Sequence, residues 1–156
     1  MTDFMTRRSV LACAVAVTFA AVSGAALAET PQQAQDMVAK AVALFDEKGE
    51  AAFAIFNQGE ASGFVDGEVY IVVESVGPDA KVLAHAANSN LVGTPLTEIL
   101  DENGKAFGLE MSQQATADGA WFDYIWHNPA ADKVQRKEAW AVLHEGLVFI
   151  AGIYVE

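Results

Sequence analysis

The feature that most restricts the fold is the stretch 119–140, GAWFDYIWHNPAADKVQRKEAW, which holds all three tryptophans of the chain. Residues 121–127 read as a strand, in which successive side chains leave on opposite faces. Phe122, Tyr124 and Trp126 then share one face, and Trp121, Asp123, Ile125 and His127 the other. Asn128-Pro129 ends the strand, because proline has no ladder donor and restricts the residue before it. The run 135–145, QRKEAWAVLHE, reads as the returning partner. Together they make a hairpin with aromatic and cationic groups near one end.

The rest of the chain supplies elements to pack on this hairpin. Helical periodicity over 31–48 places Val38, Ala41, Val42 and Phe45 on one face, and Thr30-Pro31 is a helix start. Gly49 ends or bends this helix, and 50–58 supplies another turn or two. Residues 57–67 are turn-rich. The run 68–75, EVYIVVES, is β-branched with little polar relief and reads as a central strand. Gly77-Pro78-Asp79 is a turn, 81–86 the next strand, and 88–93 a loop. A short helix over 95–100, a turn at 101–104 and a helix over 105–117 precede the hairpin. The run 146–155, GLVFIAGIYV, is a buried last strand. Antiparallel neighbours with helices between them predict an α+β fold, with a sheet of about five strands, a long N-terminal helix and short helices on one face.

Arg7-Arg8, the apolar run 9–22 and Ala26-Leu27-Ala28 form the three parts of a secretory signal peptide over 1–28. Thr6-Arg7-Arg8-Ser9-Val10-Leu11 is similar to a twin-arginine signal with Val10 in place of phenylalanine, and the export route stays open between that pathway and the general one. The expected mature domain, 29–156, is one ordinary core in size, and the periplasm is its expected location. It keeps no cysteine, since Cys13 leaves with the signal. Disulfides, thiolate catalysis, cysteine-ligated metals and c-type haem are thereby excluded. Losing Arg7, Arg8 and Asp3 leaves seven cations against twenty anions, so the formal charge moves from −12 to −13. Such a field repels nucleic acid and anionic lipid.

Several short motifs occur in a fixed order. Lys81-Val82-Leu83-Ala84-His85, Gly93-Thr94-Pro95-Leu96, Asp101-Glu102-Asn103-Gly104-Lys105, the strand Gly119 to Trp126 followed by Asn128-Pro129, Lys137 with Trp140, and Gly152-Ile153-Tyr154 succeed one another. In this order and spacing the chain resembles the single Cache domain of bacterial sensors, whose core is PAS-like. The resemblance implies an extracytoplasmic module for a small ligand, often a short carboxylate, read out through a membrane sensor or receptor.

A domain at −13 needs a local positive site to hold such an acid, and Lys133, Arg136 and Lys137 fall within five residues. The expected ligand-binding set is His85, Tyr124, Trp126, Lys137 and Trp140. Lys137 is the anion anchor, Tyr124 and neutral His85 are donors, Trp126 is an apolar wall, and Trp140 packs on the ligand's carbon end. Alternation puts Arg136 and Lys137 on opposite faces, so at most one points inward. The plainer readings stand beside these: Phe122 belongs to the core, Lys133 and Arg136 suit a solvated hairpin tip, His85 alone is more often a packed histidine, and His127 and His144 are exposed.

Catalytic signatures are absent from the sequence. There is no nucleophile elbow, no metal spacing among His85, His127 and His144, and no phosphate-cradling glycine loop. Asp101 to Gly104 opens like a calcium loop, but Lys105 stands where an oxygen ligand is needed. Neither an enzyme nor a cofactor is expected. The alternative to a small-acid binder is an interaction module that docks on another exported protein or pairs with a copy of itself through helix 31–48.

Overall fold

The computed structural model describes residues 28–155. The signal-peptide reading over 1–28 lies almost wholly outside them, as does the twin-arginine motif.

Helix α1 (Pro31–Lys48) starts in a capping box, with the Gln33 N–H donating to Thr30 and the Thr30 N–H donating back to the Gln33 side chain. It ends at Gly49, whose φ of 58° suits a residue without Cβ. Ala34, Met37, Val38, Ala41 and Phe45 line its buried face at three- and four-residue spacing. Helix α2 (Ala51–Phe56) follows and buries Ala52 and Phe56.

Six strands form one antiparallel sheet: β1 (Val65–Asp66), β2 (Val69–Ser75), β3 (Val82–His85), β4 (Ala120–Asn128), β5 (Lys133–His144) and β6 (Leu147–Val155). The order is β1-β2-β6-β5-β4, with β3 pairing to β2. Strand β1 is only two residues long and lies in the turn-rich segment, where no hydrophobic alternation marks it. The helix expected over 105–117 is shorter, α3 (Phe107–Gln114). The helix expected over 95–100 is a single 3-10 turn at Leu96–Glu98.

The sheet is covered on both faces. α1 and α2 pack on one, against the side chains of Ile71, Val73, Phe149 and Ala151. On the other, α3 and the loops before it cover Tyr124, Ala139, Ala141, Val148 and Ile150. Asp101 fixes that cover to the hairpin, because its carboxylate accepts the N–H groups of Asn103, Lys105 and Ile125 at 2.8, 2.9 and 3.2 Å. Burial opposes its charge, but the N–H groups of Lys105, Ile125 and Asn103 outweigh it and hold the carboxyl below its usual range. Asp101 thus serves the turn and its tie to β4, and α3 starts after Ala106 without a side-chain cap hydrogen bond.

The hairpin is longer than 121–127 and 135–145 suggest. Asn128 still belongs to β4, and its buried side chain donates to Glu68 and Gln135 while accepting from Ala130 and Ala131. That network closes the loop 129–132 and extends the pairing to Asn128↔Lys133.

Candidate ligand-binding site

Between the sheet and α3 lies a small cavity, with about 30 Å³ open to the centre of a water-sized sphere. Such a space admits water and leaves room for only a small ligand. Its floor is built by alternation. Tyr70, Val72 and Glu74 rise from β2, Ile150 from β6, Lys137 from β5, and Tyr124 and Trp126 from β4. Phe107 and Met111 of α3 form the roof, and His85 closes one side from the end of β3.

Lys137 stands directly opposite Tyr124 on β4 and Tyr154 on β6. It is 2 % exposed. Gly152 of β6 makes room for its stem, since a Cβ there would lie 2.9 Å from Lys137 Cε and 2.8 Å from the Glu138 carbonyl oxygen. Across that gap the ammonium reaches 3.7 Å from the centroid of the Tyr70 ring and 4.5 Å from that of Tyr154. Such contacts partly replace lost water. Among the described residues no carboxylate lies within ion-pair distance of it. Its charge is felt at Glu29, whose pKa burial raises while the Glu68 N–H and, less strongly, the Lys137 ammonium pull it back. Arg136, by contrast, points outward and pairs with Glu138 at 2.7 Å, and Lys133 is exposed. One cation of the cluster enters the site, as alternation requires.

The other polar groups are tuned as donors. His85 Nδ1 accepts the Asn88 N–H at 3.0 Å, which assigns the proton to Nε2. Burial, and then the charge of Lys137, lower its pKa to about 4, so the ring is neutral at pH 7. Tyr124 stacks on Phe107 with centroids 3.9 Å apart. Burial, with Tyr70 and Glu74 beside it, keeps its pKa well above the ordinary phenol range, and the hydroxyl retains its proton. Trp126 meets Phe107 edge-on at 5.1 Å and forms the apolar wall. Tyr154 donates to the His127 carbonyl at 3.1 Å and so holds the loop end of the hairpin against β6.

Four of the five expected residues, His85, Tyr124, Trp126 and Lys137, therefore line one cavity. Trp140 does not. It lies three residues from Lys137, so it leaves β5 on the opposite face, where it packs beside the α1 core and against Trp121 with centroids 5.3 Å apart. Phe122 packs half-buried at the edge of the α3-side core, consistent with its core reading. His127 is exposed, whereas His144 is half-buried and meets Asp46 of α1 at 2.7 Å.

Sequence reasoning missed Tyr70 and Glu74. Their signal was present, because Tyr70, Val72 and Glu74 alternate along an otherwise apolar strand, and a glutamate at such a position must face something polar or lose its charge. Burial does raise the Glu74 pKa to about 8.

The single Cache domain 2 family matches residues 26–156. No curated protein matches the chain. Among solved structures, a periplasmic sensor domain of a chemotaxis protein is 22% identical, with a TM-score of 0.59 over 80% of this chain and 90% of that one. A methyl-accepting chemotaxis protein from Vibrio parahaemolyticus is also 22% identical, with a TM-score of 0.61 over 80% and 85%. A Cache chemosensory domain, solved as the structural basis for its carboxylic acid recognition, is 20% identical, with a TM-score of 0.56 over 80% and 88%. Among the described residues no helix is long and apolar enough to cross a membrane. With the fold, the two-faced cover of the sheet and the family match in agreement, this chain belongs to the single Cache family, whose members are extracytoplasmic ligand-binding sensor domains and not enzymes.

Proposed function

We propose that this domain captures a short organic carboxylate outside the cytoplasm and reports its presence through a membrane partner. The observation that carries the reading is the buried ammonium of Lys137, which faces the cavity with no ion-pair partner among the described residues. A monoanion brought there gains a charge-assisted hydrogen bond in a medium that screens poorly. Tyr124 and His85 supply neutral donors, and Trp126 and Phe107 enclose the carbon end. The cavity's size favours acids of two or three carbons. The carboxylic acid recognised by one structural relative is consistent with this choice.

Thermal unfolding of the protein with acetate, propionate, pyruvate, lactate and selected amino acids tests the reading. An acid present at about 100 times its dissociation constant adds ~2.7 kcal/mol of stability. A shift with short acids that disappears in Lys137→Met supports it. A screen without any shift, or one unchanged by that substitution, overturns it.

A further inference from the structure

We propose that Glu74 is a specificity-determining residue: donating a hydrogen bond at the end of the cavity opposite Lys137, it selects short monocarboxylates that carry a second, uncharged oxygen. The inference deepens the carboxylate reading and rests on it. Such ligands carry that oxygen on the carbon remote from the carboxylate, as a 3-hydroxy acid of three carbons does. They are distinct from 2-hydroxy and 2-oxo acids, whose second oxygen lies beside the carboxylate, and from unsubstituted acids of the same length.

The placement comes from the strand. Lys137 Nζ lies over the ring of Tyr70. Glu74 is four residues further along β2 on the same face, a Cα separation of about 13 Å at ~3.3 Å per residue. Its carboxyl lies under the first turn of α3, where a Cβ on Gly108 would come 2.9 Å from Glu74 Oε1. The bare glycine leaves space for that carboxyl. A ligand carboxylate held by Lys137 therefore extends its other end toward Glu74.

Glu74 has no visible structural use. It is 2 % exposed, and its Oε2 has no hydrogen-bond partner among the described residues. A buried polar group without a partner is costly, and an apolar residue of the same size would pack there without that cost. A ligand oxygen is the missing acceptor. Burial alone raises the Glu74 pKa to about 8, with no charged neighbour contributing, so at pH 7 the group is chiefly the neutral acid and has a proton to donate. With Lys137 charged and Glu74 neutral, the cavity carries one positive charge. A monoanion balances it, a second carboxylate would overcompensate, and a ligand ammonium would leave it uncompensated.

Calorimetric titration at pH 7 of propionate, lactate and 3-hydroxypropionate, which share three carbons, tests the inference on the parent protein, Glu74→Gln and Glu74→Leu. 3-Hydroxypropionate should bind the parent ~10-fold or more tightly than propionate or lactate, the value of one buried hydrogen bond near the upper end of its range. The preference should persist in Glu74→Gln, whose amide still donates, and fall to near unity in Glu74→Leu. Equal binding of all three acids by the parent overturns the role of Glu74 and leaves the carboxylate reading standing. A preference that survives in Glu74→Leu also overturns it, by assigning discrimination to another group. Absence of binding by every acid overturns both readings. The parent comparison needs no variant, so a substitution that fails to fold does not blunt the test.

Discussion

Replacing Lys137 by methionine separates the two things a buried cation can be, a structural tie or a binding group. The ammonium is 2 % exposed and touches ring faces, with no carboxylate within ion-pair distance among the described residues. Removing an ion from water costs several kcal/mol even after relaxation, while each desolvated ring face returns about 2 kcal/mol. Methionine has a similar unbranched stem, can thread the same gap over Gly152, and keeps favourable contact with both rings. Without ligand, the variant should therefore be more stable by about 1–3 kcal/mol. That is a rise in Tm of about 3–5 °C per kcal/mol for a domain of this size. In the presence of a short acid at about 100 times the parent's Kd that gap should narrow by roughly 2–3 kcal/mol, because the parent gains ~2.7 kcal/mol while truncating one partner of a buried charge pair costs about 2–5 kcal/mol, or at least ~30-fold in affinity. Thermal unfolding of both proteins, with and without the acid identified by screening, reads both effects in one experiment. A variant that is less stable than the parent without ligand, yet shows the same acid-dependent shift, would refute the reasoning and make Lys137 a structural tie.

Three further outcomes follow from the same geometry. Gly152→Val should displace the Lys137 stem, since even a Cβ would meet it at 2.9 Å and the Glu138 carbonyl at 2.8 Å; a loss of about 1–3 kcal/mol in denaturant unfolding, with acid binding abolished, is expected. Stability should fall with rising pH between about 6.5 and 8: folded Glu74 keeps its proton up to about 8 while the unfolded carboxyl has lost it near 4.5, whereas neutral His85, titrating near 4 folded and 6.5 unfolded, acts oppositely only at lower pH. The Glu74 part of that slope is on the order of 1–2 kcal/mol over the window, and comparison of Tm against pH with Glu74→Gln, which lacks the titration, should show it removed. Trp140→Ala should destabilise the domain by about 2–4 kcal/mol through loss of packing on the α1 face, but leave the Kd for the acid within about twofold of the parent; a large change in Kd would place Trp140 in the binding machinery after all.

Much of this domain was legible because it depends on short-range rules. The face of α1 follows from 3.6-residue spacing, and its boundaries from Thr30-Pro31 and Gly49, all local in sequence. The hairpin was recognisable because seven residues alternate and Asn128-Pro129 interrupts them. That same alternation put Arg136 and Lys137 on opposite faces, so that at most one could point inward, although consistent use of it would also have excluded Trp140. The ordered motifs identified the family. Where local rules were weak, boundaries moved. The two-residue β1 carries no pattern of its own, and the segment 95–100 forms only one 3-10 turn, its start being tied by the Lys81↔Pro95 bridge and by the Leu96 N–H donating to the Ala80 carbonyl.

The sequence by itself determined the elements, their faces and the cysteine-free, acidic character of the domain, because those depend on residue type and spacing along one chain. Only the tertiary structure decided that Lys137 crosses β6 over Gly152 to reach Tyr70, residues far apart in the sequence. It also decided that Glu74 meets the first turn of α3 without a hydrogen-bond partner for its Oε2 among the described residues. Both are consequences of strand order and of burial. A side chain's charge state and partners depend on which distant elements exclude water from it, and periodicity along a single strand carries no record of that.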